Sequence, residues 1–183
     1  MEQNYGKCCF TGYRPQKFPF ALRDGDLDFL EFENALYEQI LNLISENYRV
    51  FYCGMAMGFD IICAEALLTL KKGLKDPIKL ICVLPFEAQG DSFNDEWKER
   101  FYSVLEQADE IEILSKDYHK GCYQKRNKYM VDNSDCVITW YDGKPGGTKN
   151  TIDYALKIGR KVFNVYNAPV ESLGYQIEFD ILD

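Results

Sequence analysis

Apolar residues in this chain gather in six short runs, at positions 7–12, 49–54, 78–84, 110–114, 135–141 and 161–166, and between the runs they recur at steps of three and four. Short apolar runs bounded by glycine and polar residues mark buried strands, and steps of three and four mark helices laid on a sheet. Strand and helix therefore alternate along the chain. The alternation predicts an α/β protein with a doubly wound, mostly parallel sheet and helices on both faces, in a single domain over residues 1–183.

The helical stretches can be placed one by one. Phe29, Phe32, Leu36, Ile40 and Leu43 share a stripe; so do Ile62, Ala66 and Leu70, in a helix that follows Asp60 and ends near Gly73, where glycine accepts the left-handed conformation that stops helices. Ser92, with Asp95 three residues on, reads as the cap of a third helix that buries Trp97, Phe101, Val104 and Leu105. A fourth covers roughly residues 123–133. Thr148 opens a fifth, with Ile152, Ala155 and Leu156 inward and Gly159 as its stop. Residues 15–26 read as a long loop placed to close over a site as a lid. The stretch from Asn167 onward is acidic and aromatic without a period, which suits an extra edge element or an oligomer contact.

With 183 residues, of which 46% are hydrophobic, the chain has enough apolar material to bury a core without staples. Its net charge of −8 repels polyanions, so no direct binding to nucleic acid is expected. A small anionic ligand needs only a local positive potential and stays compatible with that charge. The seven cysteines show no CxxC pair and no zinc-like spacing; several sit inside apolar runs, which predicts buried thiols, a reducing compartment and no metal. No apolar run approaches the roughly 18 residues that span a bilayer, and the opening MEQNYGK does not read as a leader, so the expectation is a cytoplasmic protein without a membrane partner.

Glycine and polar residues follow four of the runs, as FTGYR at 10–14, CGMAMGFD at 53–60, LPFEAQGD at 84–91 and WYDGKPGGTKNT at 140–151. In a parallel sheet all four loops emerge on one edge, where open α/β sheets take their ligands. In the first loop, Thr11 and Gly12 end the strand and Arg14 offers a planar fork to a carboxylate or phosphate. In the second, Gly54 and Gly58 bracket Met55, Ala56 and Met57 in a tight turn, and Asp60 is placed to accept from a ribose hydroxyl or to fix the turn. Pro145 stiffens the last loop before Gly146 and Gly147, and backbone amides with the Thr148 and Thr151 hydroxyls at a helix start form a phosphate cradle. Arg126 and Asn127 lie on the fourth helix, where a polar pair either points into a pocket or faces solvent.

Together these segments resemble the YpsA-like branch of the SLOG superfamily, a Rossmann-like group related to the DprA and LOG proteins. The resemblance rests on FTGYRP at 10–15, GMAMGFD at 54–60 with Glu65 beyond it, LPFEAQ at 84–89 with Pro85 and Gln89, RNKYMVD at 126–132 and GGT at 146–148. It implies a pocket for a nucleotide or a nucleotide-derived, ADP-ribose-like molecule, with links to bacterial stress and cell division. It identifies no cofactor, and a homo-oligomer stays open. Tyr13 stands where the pattern has histidine. The LOG relatives cleave a base from a nucleotide with the glutamate of a GGxGTxxE motif, and here Thr151 occupies that place. A binding or sensing protein is therefore favoured over a nucleotide N-glycosidase, which would have to use Asp60 or Glu65 as its carboxylate. The single histidine, His119, lies in a polar stretch.

Overall fold

A computed structural model of the chain describes residues 4–75 and 77–166. The stretch from Asn167, to which an edge or oligomer role was assigned, lies outside them. Among the described residues eleven strands and α-helices alternate: β1 (Gly6–Thr11), α1 (Leu27–Ser45), β2 (Tyr48–Cys53), α2 (Phe59–Gly73), β3 (Lys79–Leu84), α3 (Asp95–Gln107), β4 (Glu110–Ile113), α4 (Cys122–Asp132), β5 (Cys136–Thr139), α5 (Gly147–Lys157) and β6 (Lys161–Asn164). The strands form one sheet in the order β4-β3-β2-β1-β5-β6. Every neighbouring pair is parallel. This is the Rossmann-like, doubly wound α/β arrangement that the alternation predicts.

The chain winds outward from β1 through β2 and β3 to β4, then crosses back to lay β5 on the other side of β1. Strand order therefore reverses between β1 and β5, whose last paired residues are Thr11 and Thr139. At such a reversal the loops after the two strands part to opposite faces and leave a crevice beyond the strand ends.

The central strands are buried on both faces, as a sheet covered by two helical layers requires: Cys8, Cys9, Phe10, Cys136, Val137 and Ile138 are inaccessible to solvent. The predicted stripe of α1 is buried in full. Trp97, Phe101 and Val104 of α3 are buried, as are Ile152 and Ala155 of α5. All seven cysteines are buried and free.

Four local expectations need correction. The run at 110–114 forms the edge strand β4, and alternation in Glu-Ile-Glu-Ile leaves Ile111 and Ile113 about half exposed rather than buried. Asn94, not Ser92, caps α3 by accepting from the Trp97 N–H at 3.1 Å, because Ser92 is taken up by a 3-10 turn over Gln89–Ser92. The second helix does end at Gly73, as expected, but through the extended Leu74 and not through a left-handed glycine. The segment after Arg14 is not a free lid: Phe18 and Phe20 pack on Trp140, with ring centroids 4.6 and 5.8 Å away, and Asp26 caps α1.

Candidate functional site

The β2–α2 turn is shaped by two positive backbone angles. Met55 has φ 58° and Gly58 φ 92°. A side chain on Gly58 would meet the Tyr13 carbonyl oxygen at 2.6 Å, so glycine lets this turn close on the loop after β1, where the Phe59 N–H donates to the same carbonyl at 3.1 Å. The turn is braced from the β3 side by Gln89, whose Nε2 donates to the carbonyls of Gly54 at 3.2 Å and Met55 at 2.8 Å. Gln89 and Met55 are both buried. They support the turn and do not line the cavity, and neither Pro85 nor Gly146 is part of its wall.

A cavity of about 220 Å³ lies in the crevice beyond β1 and β5. Of the residues selected from sequence, it brings together Thr11, Gly12, Arg14, Ala56, Asp60, Arg126, Asn127, Gly147 and Thr148. Tyr13, Gln16, Lys17 and Tyr123 complete the wall. Gln16, Lys17 and Tyr123 were not singled out in the sequence. A cation two residues after a proline and an aromatic residue at a helix start carry no local mark of their destination.

Its charge is unbalanced. Arg14, Lys17 and Arg126 face it with one carboxylate, Asp60. Arg126 is only 4% exposed, and burial pulls its pKa below the ordinary arginine value against the opposing pull of Asp60. It donates through Nη1 to the Gly54 carbonyl and through Nε to Asn127 Oδ1 at 2.7 Å. A side chain on Gly54 would displace that guanidinium, so glycine here makes room for Arg126. Tyr123 lies between the two arginines, with the guanidinium carbon of Arg14 5.5 Å and that of Arg126 5.9 Å from its ring centroid.

Asp60 is 5% exposed and accepts from the Ala56 N–H at 3.3 Å. Burial pushes its pKa up to about 6, opposed by Arg126, the Ala56 N–H and Arg14. Its carboxyl therefore changes charge near neutrality, inside the cavity. Glu65 is elsewhere. It faces α3 and forms a two-pronged pair with Arg100 at 2.8 and 2.6 Å, outside the cavity wall.

The start of α5 borders the cavity at Gly147 and Thr148. No side chain caps this helix, so the N–H groups of Gly147 and Thr148 stand at the cavity with the positive end of the helix dipole. The two threonine hydroxyls proposed for the cradle are already engaged: Thr148 donates to the Gly12 carbonyl at 3.0 Å and Thr151 to the Gly147 carbonyl at 2.9 Å. They tie the loop to β1 and to its own helix, which leaves anion binding to backbone N–H and arginine.

Tyr13 is a strut. Its hydroxyl donates to Asp142 Oδ1 at 2.7 Å, which joins the loops after β1 and β5, and burial with that bond raises its pKa, holding the phenol protonated. His119 is exposed and paired with Ser115 and the Lys120 carbonyl. Among the described residues no cluster of three His, Cys, Asp or Glu side chains is arranged to hold a metal, and no helix is long and apolar enough to cross a membrane.

A doubly wound parallel sheet with a cation-lined crevice at its reversal point places the chain in the Rossmann-like class of α/β proteins. The YpsA model, described as the YspA SLOG family, matches residues 8–167, and the chain belongs to that family. Membership points to a nucleotide-related function. The SPbeta prophage-derived protein YoqJ of Bacillus subtilis (strain 168) is similar, with 31% identity over 153 residues that cover 75% of this chain and 88% of that protein. A UPF0398 protein of Halalkalibacterium halodurans is 30% identical over 151 residues, covering 80% and 78%. Among solved structures, DNA processing protein A of Helicobacter pylori has the same fold with a TM-score of 0.56 at 20% identity; the match covers 87% of this chain and 64% of that one.

That last likeness corrects one expectation. The Helicobacter protein has a single-stranded DNA binding mode. An acidic balance is therefore no ground for excluding nucleic acid as a partner, because net charge does not report the potential of one crevice.

Proposed function

We propose that the chain binds a phosphate-bearing, nucleotide-derived small molecule in the crevice beyond β1 and β5, and that it acts as a binding or sensing protein. Arg14, Arg126 and the first N–H groups of α5 take the phosphate, Lys17 closes the rim, and Asp60 accepts from a sugar hydroxyl. The observation that carries this reading is the charge of the cavity: three cations against one carboxylate in a chain of net charge −8. Such a concentration of positive charge beside an uncapped helix start favours an anion in a confined space.

A thermal-shift panel tests it, with inorganic phosphate, ribose 5-phosphate, nucleoside mono-, di- and triphosphates, ADP-ribose, unphosphorylated nucleosides and a single-stranded oligonucleotide. A ligand at a hundred times its dissociation constant stabilises the fold by about 2.7 kcal/mol, a readily visible shift. Phosphorylated small molecules should shift the transition and free nucleosides should not. Equal response to nucleosides, or no response to any phosphate compound, contradicts the proposal. Response to the oligonucleotide alone would move the function to nucleic acid, which presents phosphate on a pentose, and the Helicobacter neighbour has a single-stranded DNA binding mode.

One observation favours a second reading, nucleotide N-glycosidase: a carboxyl, Asp60, is buried in the cavity wall, and burial pushes its pKa up to about 6, toward the range of an acid or base for hydrolysis. Release of free base from mononucleotides, followed by chromatography and abolished in Asp60→Asn, would support it.

A further inference from the structure

A second cavity, of about 270 Å³, opens between α4 and α5 and shares Tyr123, Asn127 and Gly147 with the first. Asn127 forms the partition between them. Its Oδ1 accepts from Arg126 on the side of the anion cavity, while its Nδ2 donates to Thr151 Oγ1 at 2.9 Å on the side of the groove. Both carboxamide atoms are engaged, so the partition is fixed in orientation.

Beyond it the walls change character. Tyr154 lines the groove, with the Lys128 ammonium 5.3 Å from its ring centroid and its hydroxyl donating to Asp132 at 2.5 Å. Gln124 and Asn150 also line it, and among the described residues neither side-chain carboxamide has a hydrogen-bond partner. Aromatic faces with free carboxamides suit a planar heterocycle that presents adjacent donors and acceptors, since rings stack on the former and base edges pair with the latter. From Gly147 to Tyr154 the helix rises roughly 10 Å. This is the reach of a nucleotide from its phosphate to its base.

We propose that the α4–α5 groove is the seat of a nucleobase, so that the ligand is a base-bearing nucleotide whose phosphate lies at the start of α5 and whose ring lies against Tyr154. This rests on the anion site proposed above. A ribose phosphate without a base fills only the first cavity, and the base adds the contacts of the second.

Calorimetric titrations with ribose 5-phosphate and with AMP separate the two readings. AMP should bind about tenfold or more tightly than ribose 5-phosphate, in keeping with a base stacked on an aromatic ring. The double variant Gln124→Ala with Asn150→Ala, at two exposed positions, should lose most of that advantage while its affinity for ribose 5-phosphate stays at the wild-type value. Tyr154→Leu, checked for a retained fold by circular dichroism, should act in the same direction. Equal affinities for the two compounds, or an AMP advantage untouched in both variants, overturns the base seat and leaves the anion site standing. Failure of both compounds to bind overturns the anion site and this proposal with it. Binding of an oligonucleotide but of neither small compound also rejects the proposal.

Discussion

Asp60→Asn tests the electrostatics of the crevice without altering its shape. Burial raises the pKa of Asp60 from the ordinary 3.8 to about 6, even though Arg126, the Ala56 N–H and Arg14 all favour the charged form. The sign of the consequence follows from proton counting. Below about pH 3 the carboxyl is protonated in both folded and unfolded chains and contributes almost no difference. Between there and pH 6 the unfolded chain releases the proton first, so this group lowers stability as pH rises. The rise from 3.8 to about 6 corresponds to about 3 kcal/mol once both states are ionised, and about 1 kcal/mol of that develops between pH 5 and 7. Asparagine keeps an oxygen to accept from Ala56 and cannot titrate. Urea unfolding of wild type and variant across this range should therefore show wild type losing about 1 kcal/mol relative to Asp60→Asn from pH 5 to 7. The comparison of slopes cancels the constant cost of leaving Arg126 without its counter-charge. Parallel pH profiles for the two proteins would refute the argument that Asp60 is held near neutrality by burial.

Other outcomes follow from the same geometry. A side chain at Gly147 meets nothing within 4 Å, so Gly147→Val should fold with wild-type secondary structure and lose at least tenfold in affinity for a phosphate ligand by titration calorimetry, because the new atoms stand beside the first N–H groups of α5. Gly12→Ala is the opposite case: its new carbon would lie 2.3 Å from the buried Phe59 ring, and denaturant unfolding should register a loss of about 1–3 kcal/mol from overpacking. Tyr13→Phe removes a donor to the Asp142 carboxylate and should cost about 1.5–3 kcal/mol in the same assay. Burial raises the pKa of Cys9 and Cys82 to about 12, so the native chain should react with a thiol reagent far more slowly than the urea-unfolded chain at pH 8.

The sheet was legible because its strands are continuous apolar runs and its helices keep an unbroken stripe; both are local patterns, as Phe29 to Leu43 on α1 shows. Local chemistry misled where two neighbours competed for one role. Ser92 and Asn94 are both good caps, and only the 3-10 turn ahead of α3 decides between them. The site was legible as a set of loops but not as a set of contacts. Glu65 looks like a free acid near the glycine turn, yet its partner Arg100 is 35 residues away and no period signals the pairing. Arg126 was recognisable on its helix, while its reach to the Gly54 carbonyl, and hence the reason for glycine there, depends on α4 and β2 meeting across 72 residues. Lys17 and Tyr123 escaped notice for the same reason. The bias toward polyanion exclusion failed differently, because a whole-chain charge averages over the one crevice in which cations outnumber carboxylates.

The central claim is that this crevice takes a phosphate group, and a crystal structure of the chain grown with ribose 5-phosphate addresses it most directly. The account predicts the phosphate beside the N–H groups of Gly147 and Thr148, within hydrogen-bond distance of Arg14 or Arg126. A ligand seated away from the ends of β1 and β5, or held by none of these groups, would contradict it.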